Sequence, residues 1–203
     1  MQLYLHIPFC KSKCAYCDFN SYACKDEALI SRYLNALNHE ISLAGKRFTK
    51  AKIDTVYIGG GTPSALAENK ISSVFNALEN SFDLSFVKEF SIECNPESIT
   101  AEKLALYKKH GVNRISIGVQ SLSDENLKII GRLHDANTAI EKIKLAKEFF
   151  DNVSCDLIIG LPFDTIDGIR EEVRTLCPLV EHISMYELSV EKGTILERMI
   201  QNG

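Results

Sequence analysis

Six short segments rich in β-branched and aromatic residues recur along the chain, at residues 3–7, 54–58, 89–94, 114–119, 153–159 and 182–187, each bounded by turn-forming residues. Between them the apolar positions change period. Ile30, Leu34, Leu37 and Ile41 fall four, three and four apart, and Ile71, Val74, Phe75 and Leu78 repeat such a stripe after Pro63-Ser64. Leu104, Leu106 and Tyr107 follow Thr100, which suits a helix N-cap. Ile140, Ile143, Leu145 and Ala146 form a further stripe, and Ile169, Val173 and Leu176 the last. Strands alternating with helices of this length imply a parallel sheet with right-handed crossovers. Six units are too few to close an eight-unit barrel. The expected fold is therefore α/β, an open partial (β/α)6 barrel of parallel strands with outer helices, in one domain over residues 1–203. The last residues, Ile200-Gln-Asn-Gly203, fall in a polar segment, as expected of a fragment of a longer chain.

Composition excludes several classes of function. A net charge of -4 leaves no general basic face for nucleic acid. No apolar stretch approaches the ~20 residues of a membrane span. Seven cysteines, an odd number without a signal peptide, suit a reducing cytoplasm. Cys24, Cys94, Cys155 and Cys177 read as packing residues, Cys94 and Cys155 within apolar strand runs.

In such a fold a ligand sits at the C-terminal ends of the strands, and polar residues gather there. Gly59, Gly60, Gly61, Thr62 and Pro63 follow the second strand. Three glycines permit a tight turn or the close approach of a ligand, and they match neither a Walker phosphate loop nor a dinucleotide fingerprint. Glu93 ends the third strand and could accept hydrogen bonds from an amine or sugar hydroxyls; a solvated strand end is the alternative. Gln120 closes the fourth. Asp156 lies inside the apolar fifth, where a charge is costly without a partner. Arg132 is a candidate partner, or a binder of carboxylate in its own right.

Strand one leads into Cys10, Cys14 and Cys17, a C-x3-C-x2-C run within eight residues. Three thiolates can hold three irons of a cubic [4Fe–4S] cluster and leave the fourth free to react. One helical turn would put the sulfurs of Cys14 and Cys17 on one side. Phe9, Tyr16 and Phe19 are placed to shield the metal. Zinc held with His6 and a disulfide framework are the competing readings; zinc sites more often show paired ligands, and the spacing is cramped for bridges. Lys11 and Lys13 flank Cys14 on a polar arc, either as solvated charge or as a landing patch for an acidic flavodoxin-type electron donor.

The cysteine run with Tyr16, together with Gly59-Gly-Gly-Thr-Pro63, resembles the radical S-adenosylmethionine (SAM) superfamily. The strings Tyr4-Leu-His-Ile-Pro-Phe-Cys10, Ser116-Ile-Gly-Val-Gln-Ser121 and Ile159-Gly-Leu-Pro162 resemble its oxygen-independent coproporphyrinogen III oxidase group. The resemblance implies the radical SAM core fold and a cluster on Cys10, Cys14 and Cys17. It implies that one SAM is contacted by Tyr4, Gly60 and Glu93. A second SAM would be contacted by Tyr16, Gly61, Thr62, Gln120, Arg132 and Asp156. The implied chemistry is one-electron cleavage of the sulfonium to methionine and a 5′-deoxyadenosyl radical. The oxidases carry a fourth cysteine where this chain has Phe19, and the Cys-Asp-Phe form resembles the sister branch of HemW-type haem chaperones. That branch implies haem or another porphyrin as cargo and a haem-accepting protein as partner. The oxidase, or another radical SAM oxidoreductase, is the alternative function.

Overall fold

The computed structural model describes residues 1–49 and 51–202. The described residues form eight strands: β1 (Gln2–Ile7), β2 (Phe9–Cys10), β3 (Tyr22–Ala23), β4 (Thr55–Gly60), β5 (Glu89–Cys94), β6 (Arg114–Gln120), β7 (Asn152–Ile159) and β8 (His182–Glu187). The helices are α1 (Glu27–Arg47), α2 (Glu68–Ser81), α3 (Ala101–Lys109), α4 (Asp124–Ile129), α5 (Ala136–Phe149), α6 (Ile166–Leu176) and α7 (Ile195–Gln201). Six strands form one parallel sheet in the order β1-β4-β5-β6-β7-β8. The order never reverses, so crossovers of one hand put every connecting helix on the same face. Among the described residues β8 does not bond to β1, and the barrel stays open. The expected (β/α)6 architecture is what the structure has.

Period-2 alternation divides the strands into two faces. Val56 and Ile58, Phe90 and Ile92, Ile115 and Ile117, and Val153 and Cys155 are buried against the helices. They meet Ile71, Val74, Phe75 and Leu78 of α2, Leu104 and Tyr107 of α3, and Ile143 and Ala146 of α5. Each such aliphatic side chain contributes about 1.5–3 kcal/mol when fully buried. The alternate positions, Tyr57, Glu93, Ser116 and Asp156 among them, belong to the inner face and line its hollows. The charge of Asp156 is thus one step out of phase with the apolar run around it.

Three features depart from expectation. The residues Ile200 and Gln201 belong to α7, a helix capped by Thr194, whose hydroxyl accepts from Glu197 N at 3.1 Å; Gly203 lies outside the described residues. The helix α4 and the two-residue ribbon β2–β3 were also unforeseen. Cys177 caps the C-terminus of α6 exposed to solvent rather than packed, whereas Cys94 and Cys155 are buried as expected, with thiols pushed up to about 12 by burial.

Candidate functional site

The three cysteines share one cavity. The ribbon β2–β3 draws the chain after Cys10 back on itself, with Tyr22 N donating to Pro8 O at 2.8 Å and Cys24 N to Cys10 O at 3.1 Å. Within the loop, Cys17 N donates to Cys14 O at 3.2 Å, a single turn rather than a helix. Ala15 is gripped from two sides: its N–H donates to Ile130 O at 2.9 Å, and its carbonyl accepts from Leu196 N at 2.8 Å. The short helices α4 and α7 thereby hold the loop over the sheet.

Lys13 is part of this scaffold. Its ammonium donates to Phe19 O at 2.7 Å, Ser21 O at 3.0 Å and Ser21 Oγ at 2.9 Å. The expected landing patch at Lys13 is therefore corrected: the ammonium is spent inside the loop. Phe9 also departs from its expected shielding role, since it is buried edge-on against Tyr33 with ring centroids 5.2 Å apart. Tyr16 and Phe19 do line the cavity.

The cavity is bounded by Cys10, Cys14, Cys17, Tyr16, Gly60, Gly61, Thr62, Glu93, Gln120, Arg132 and Asp156. Every site residue expected from the sequence is there except Tyr4. The Tyr4 side chain is 60% exposed and its ring stacks on Tyr57 at 6.1 Å. The Nε2–H of His6 donates to Asn20 O at 2.8 Å, which leaves Nδ1 to accept from Tyr4 Oη at 2.9 Å. Both ring nitrogens are thus engaged, and His6 is not placed as a zinc ligand. Among the described residues no three His, Cys, Asp or Glu side chains converge closely enough on one metal ion. A four-iron cube, by contrast, offers its corners to sulfurs set farther apart.

Glycine makes room beside the sulfurs. A Cβ on Gly61 would lie 2.8 Å from Phe9 O and 3.0 Å from Cys10 Sγ. Gly60 has φ +115°, and a Cβ there would meet the His6 ring at 2.7 Å. The Thr62 hydroxyl donates to Cys10 Sγ at 3.5 Å. Burial pushes the Cys10 thiol above its ordinary value, against that hydrogen bond. Gln120 adopts φ 72° where the ladder between β6 and β7 slips after Gly118. A left-handed non-glycine residue costs about 1–2 kcal/mol, and here it accompanies a bulge at the cavity wall.

Arg132 is the buried charge of the site. One guanidinium nitrogen donates to Asn95 Oδ1 at 2.8 Å and Gly118 O at 2.6 Å, and the other to Cys14 Sγ at 3.5 Å. Its Nε is buried with no hydrogen-bond partner. Arg132 does not pair with Asp156; those acceptors hold it on the other side of the cavity. Arg132 feels the charge of Glu97 but forms no salt bridge with a carboxylate; a buried cation in contact with a thiol and carrying an orphaned N–H fits a site meant for an anionic group such as a thiolate-bound iron–sulfur cluster.

Two carboxylates face it. Glu93 Oε1 accepts from Tyr57 Oη at 2.7 Å and Oε2 from Gly60 N at 2.9 Å. Burial raises the Glu93 carboxyl above its ordinary value in spite of these bonds, and Asp156 adds to the rise. Asp156 is raised by burial too, opposed by Ser184, Arg114 and Ser116. The Ser116 hydroxyl lies 3.4 Å from Asp156 Oδ2. A second, larger hollow adjoins the first through Tyr16, Cys17, Phe19, Glu93, Gln120 and Asp156, and opens toward Tyr186 and Glu187 of β8. Asn95, Tyr57 and Ser21 were not singled out from the sequence; the position of Asn95, directly after Glu93-Cys94 at a strand end, was the available signal.

A family model described as the Radical SAM superfamily matches residues 4–176. The chain is 39% identical over 206 residues to the heme chaperone HemW of Bacillus subtilis, covering 98% of this chain and 53% of that protein. It is 36% identical to the heme chaperone HemW of Escherichia coli, covering 96% and 52%. It is also 36% identical to the mitochondrial radical S-adenosyl methionine domain-containing protein 1 of Bos taurus, covering 99% and 46%. The chain thus spans about half the length of the curated relatives it matches. Among solved structures, coproporphyrinogen III oxidase (HemN) from Escherichia coli superimposes with a TM-score of 0.86 at 26% identity, covering 99% of this chain and 51% of that one.

Proposed function

The chain belongs to the radical SAM superfamily, and from that premise we propose that it is the cluster-bearing half of a haem chaperone, which binds haem and delivers it to haem proteins in the cytoplasm. The observation that carries this reading is Phe19. It stands 65% exposed at the junction of the two hollows, where the oxidases would place a fourth cysteine. The similarity to the HemW proteins over nearly the whole chain supports the same branch.

When bound, a [4Fe–4S] cluster with one uncoordinated iron supplies one-electron reduction of the SAM sulfonium. Cys10, Cys14 and Cys17 would hold it. Arg132 offsets its negative charge from behind Cys14, and Thr62 steadies the Cys10 sulfur. Gly60 and Gly61 let the backbone come close to a ligand. Glu93, already oriented by Tyr57 and Gly60, keeps lone pairs free for an amine or ribose hydroxyls. Tyr16 and Phe19 restrict water, and the larger hollow past Asp156 offers an aromatic-rimmed space for the porphyrin.

The test is anaerobic reconstitution of the full-length protein, then haem titration and a SAM-cleavage assay on the same sample. Four irons per chain, stoichiometric haem and no conversion of coproporphyrinogen III are expected. Protoporphyrinogen formed with SAM and a reductant would establish the alternative, the oxidative decarboxylase.

A further inference from the structure

The segment that leaves α4 brings a second polar side chain inward beside Arg132. Gly131, at φ +75°, turns the chain out of the helix, and Arg132 N donates to Leu127 O at 2.9 Å. The residues then alternate as in a strand: Arg132 and His134 point inward, and Leu133 between them is 55% exposed. Their partners come in register. Arg132 takes Asn95 Oδ1, just beyond β5, and Gly118 O of β6. His134 takes Glu97, which follows Asn95 after one residue, and Val119 O, which follows Gly118 directly. Arginine and histidine thus form two parallel clasps across the same two strand ends.

The second clasp has a proton to account for. The His134 side chain is fully buried, and that of Glu97 is only 15% exposed. Nε2 of His134 lies 3.0 Å from the Val119 carbonyl, which can only accept, so Nε2 carries a hydrogen. Nδ1 faces Glu97 Oε2 at 3.5 Å, and neither atom has any other hydrogen-bond partner. A neutral imidazole would set a lone pair against a buried carboxylate oxygen and leave both unsatisfied. A proton on Nδ1 turns the same contact into a charge-assisted one. Burial raises the Glu97 carboxyl, yet the bond to His134 and the charge of Arg132 hold it below its ordinary value, so the proton rests on the imidazole. Three charges face the pair: Arg132 from the same segment, Lys11 of the cysteine loop, whose ammonium donates to Glu97 O at 3.4 Å, and Asp135 at the N-cap of α5.

We propose that Glu97 and His134 are positioning residues, which share one proton and thereby hold Arg132 against Cys14. The proposal rests on the cluster reading above. Asn95 and Gly118 grip a single nitrogen of the guanidinium, the other terminal nitrogen reaches Cys14 Sγ at 3.5 Å, and Nε is unpaired. Those bonds alone leave the side chain free to rock about the gripped nitrogen. The His134 clasp fixes the backbone just beyond Arg132 to the same strand ends and removes that freedom. With a cluster bound, a cation held there favours the reduced state, which is more negative by one charge.

The full-length protein and three variants test this: His134→Gln, Glu97→Gln and the two combined. Glutamine in place of His134 can still donate to Val119 O, but it turns its own carbonyl oxygen to the Glu97 carboxylate, two acceptors face to face. Glutamine in place of Glu97 offers an N–H to either partner. So His134→Gln should break the clasp, and Glu97→Gln, alone or combined with it, should keep it. Hydrogen exchange over residues 131–135 of the iron-free proteins, read by mass spectrometry, should be at least about tenfold faster in His134→Gln, as an unpaired buried group implies. In the other two variants it should stay within about threefold of wild type. Nuclear magnetic resonance of protein labelled only at histidine nitrogens identifies His134 by the signal that His134→Gln loses. That signal should show hydrogen on both ring nitrogens in wild type and on Nε2 alone in Glu97→Gln. After anaerobic reconstitution, His134→Gln should shift the reduction equilibrium about tenfold toward the oxidised cluster, a midpoint about 59 mV lower, and the double variant should restore it. A bare Nδ1 in wild type, or fast exchange in the double variant, would overturn the clasp. An unshifted midpoint in His134→Gln would overturn its link to Arg132. A wild type that takes up no iron would sink the cluster reading instead, and the exchange and nitrogen spectra would still decide whether the clasp exists.

Discussion

The ammonium of Lys13 lies 2.9 Å from the hydroxyl of Ser21, and the two close the cysteine loop from within. The same ammonium reaches the carbonyls of Phe19 and Ser21. Ser21 is buried, and its hydroxyl is 3.9 Å from Cys17 Sγ. Hydrogen bonds to a charged group contribute about 1.5–3 kcal/mol. Lys13→Met keeps the aliphatic stem and removes the donors, so it should loosen the loop at a cost of about 2 kcal/mol. Faster alkylation of Cys17 in the iron-free protein and lower iron uptake on reconstitution are the expected readings. Wild-type alkylation kinetics in Lys13→Met would show that the staple is idle.

Space, rather than backbone conformation, governs Gly61. An added methyl would be driven against Phe9 O, Ile7 O and Cys10 Sγ, all within 3.0 Å. Two of these are backbone atoms, and two bonds fix them: Gly61 N donates to Ile7 O at 2.7 Å and Thr62 N to Phe9 O at 2.8 Å. Overpacking of this kind costs about 1–3 kcal/mol. Gly61→Ala should therefore lower the denaturant midpoint of the iron-free protein and displace Cys10, reducing iron stoichiometry. Full iron loading with an unchanged midpoint would contradict the tight packing described here.

Glu93 is expected to separate ligand binding from folding. Glutamine at this position can turn its carbonyl oxygen to Gly60 N–H and its amide N–H to Tyr57 Oη, which accepts as well as donates. The fold should tolerate the change to within about 1 kcal/mol, the usual worth of one neutral hydrogen bond. A ligand amine or hydroxyl pair would lose its charged acceptor, a loss of roughly tenfold or more in affinity. Calorimetric titration of SAM into the reconstituted full-length protein, beside a thermal melt, measures both. Equal SAM affinity in wild type and Glu93→Gln would remove Glu93 from the binding site.

The long elements were legible because burial is periodic: Ile71, Val74, Phe75 and Leu78 are all buried, as the spacing of the stripe requires. What escaped was stabilised by tertiary contact alone. The helix α7 buries a single residue, Leu196, and is pinned through Ala15. No local pattern announces a helix held that way. Lys13 read as surface because its three acceptors lie six and eight residues onward, and only the folded loop brings them to it. The cysteines, glycines and strand-end carboxylates were legible because each marks a chemical need. Their partners were harder to foresee. Asn95, not Asp156, takes Arg132, since β5 and β6 bring Asn95 and the Gly118 carbonyl to it first.

Asp156 should show the tension between folding and binding as a pH effect. Burial lifts its carboxyl above the ordinary value of 3.8, against hydrogen bonds from Ser184 and Ser116 and the charge of Arg114. The folded chain then keeps a proton to higher pH than the unfolded chain does. Between the ordinary value and the raised one the unfolded state binds fewer protons, so stability falls as pH rises through that window. Glu93 behaves in the same sense, and part of its rise comes from Asp156 itself. Asp156→Asn removes one titration and relaxes the other. Denaturant midpoints of the iron-free protein, measured from about pH 4 to pH 8, a span that brackets ordinary carboxylates and their raised forms, should fall less steeply in Asp156→Asn than in wild type. The variant should be the more stable protein at neutral pH, and should bind its ligand less well for want of the charge. Parallel midpoint curves for the two proteins would mean that Asp156 is solvated, with no destabilising charge stored at this point of β7.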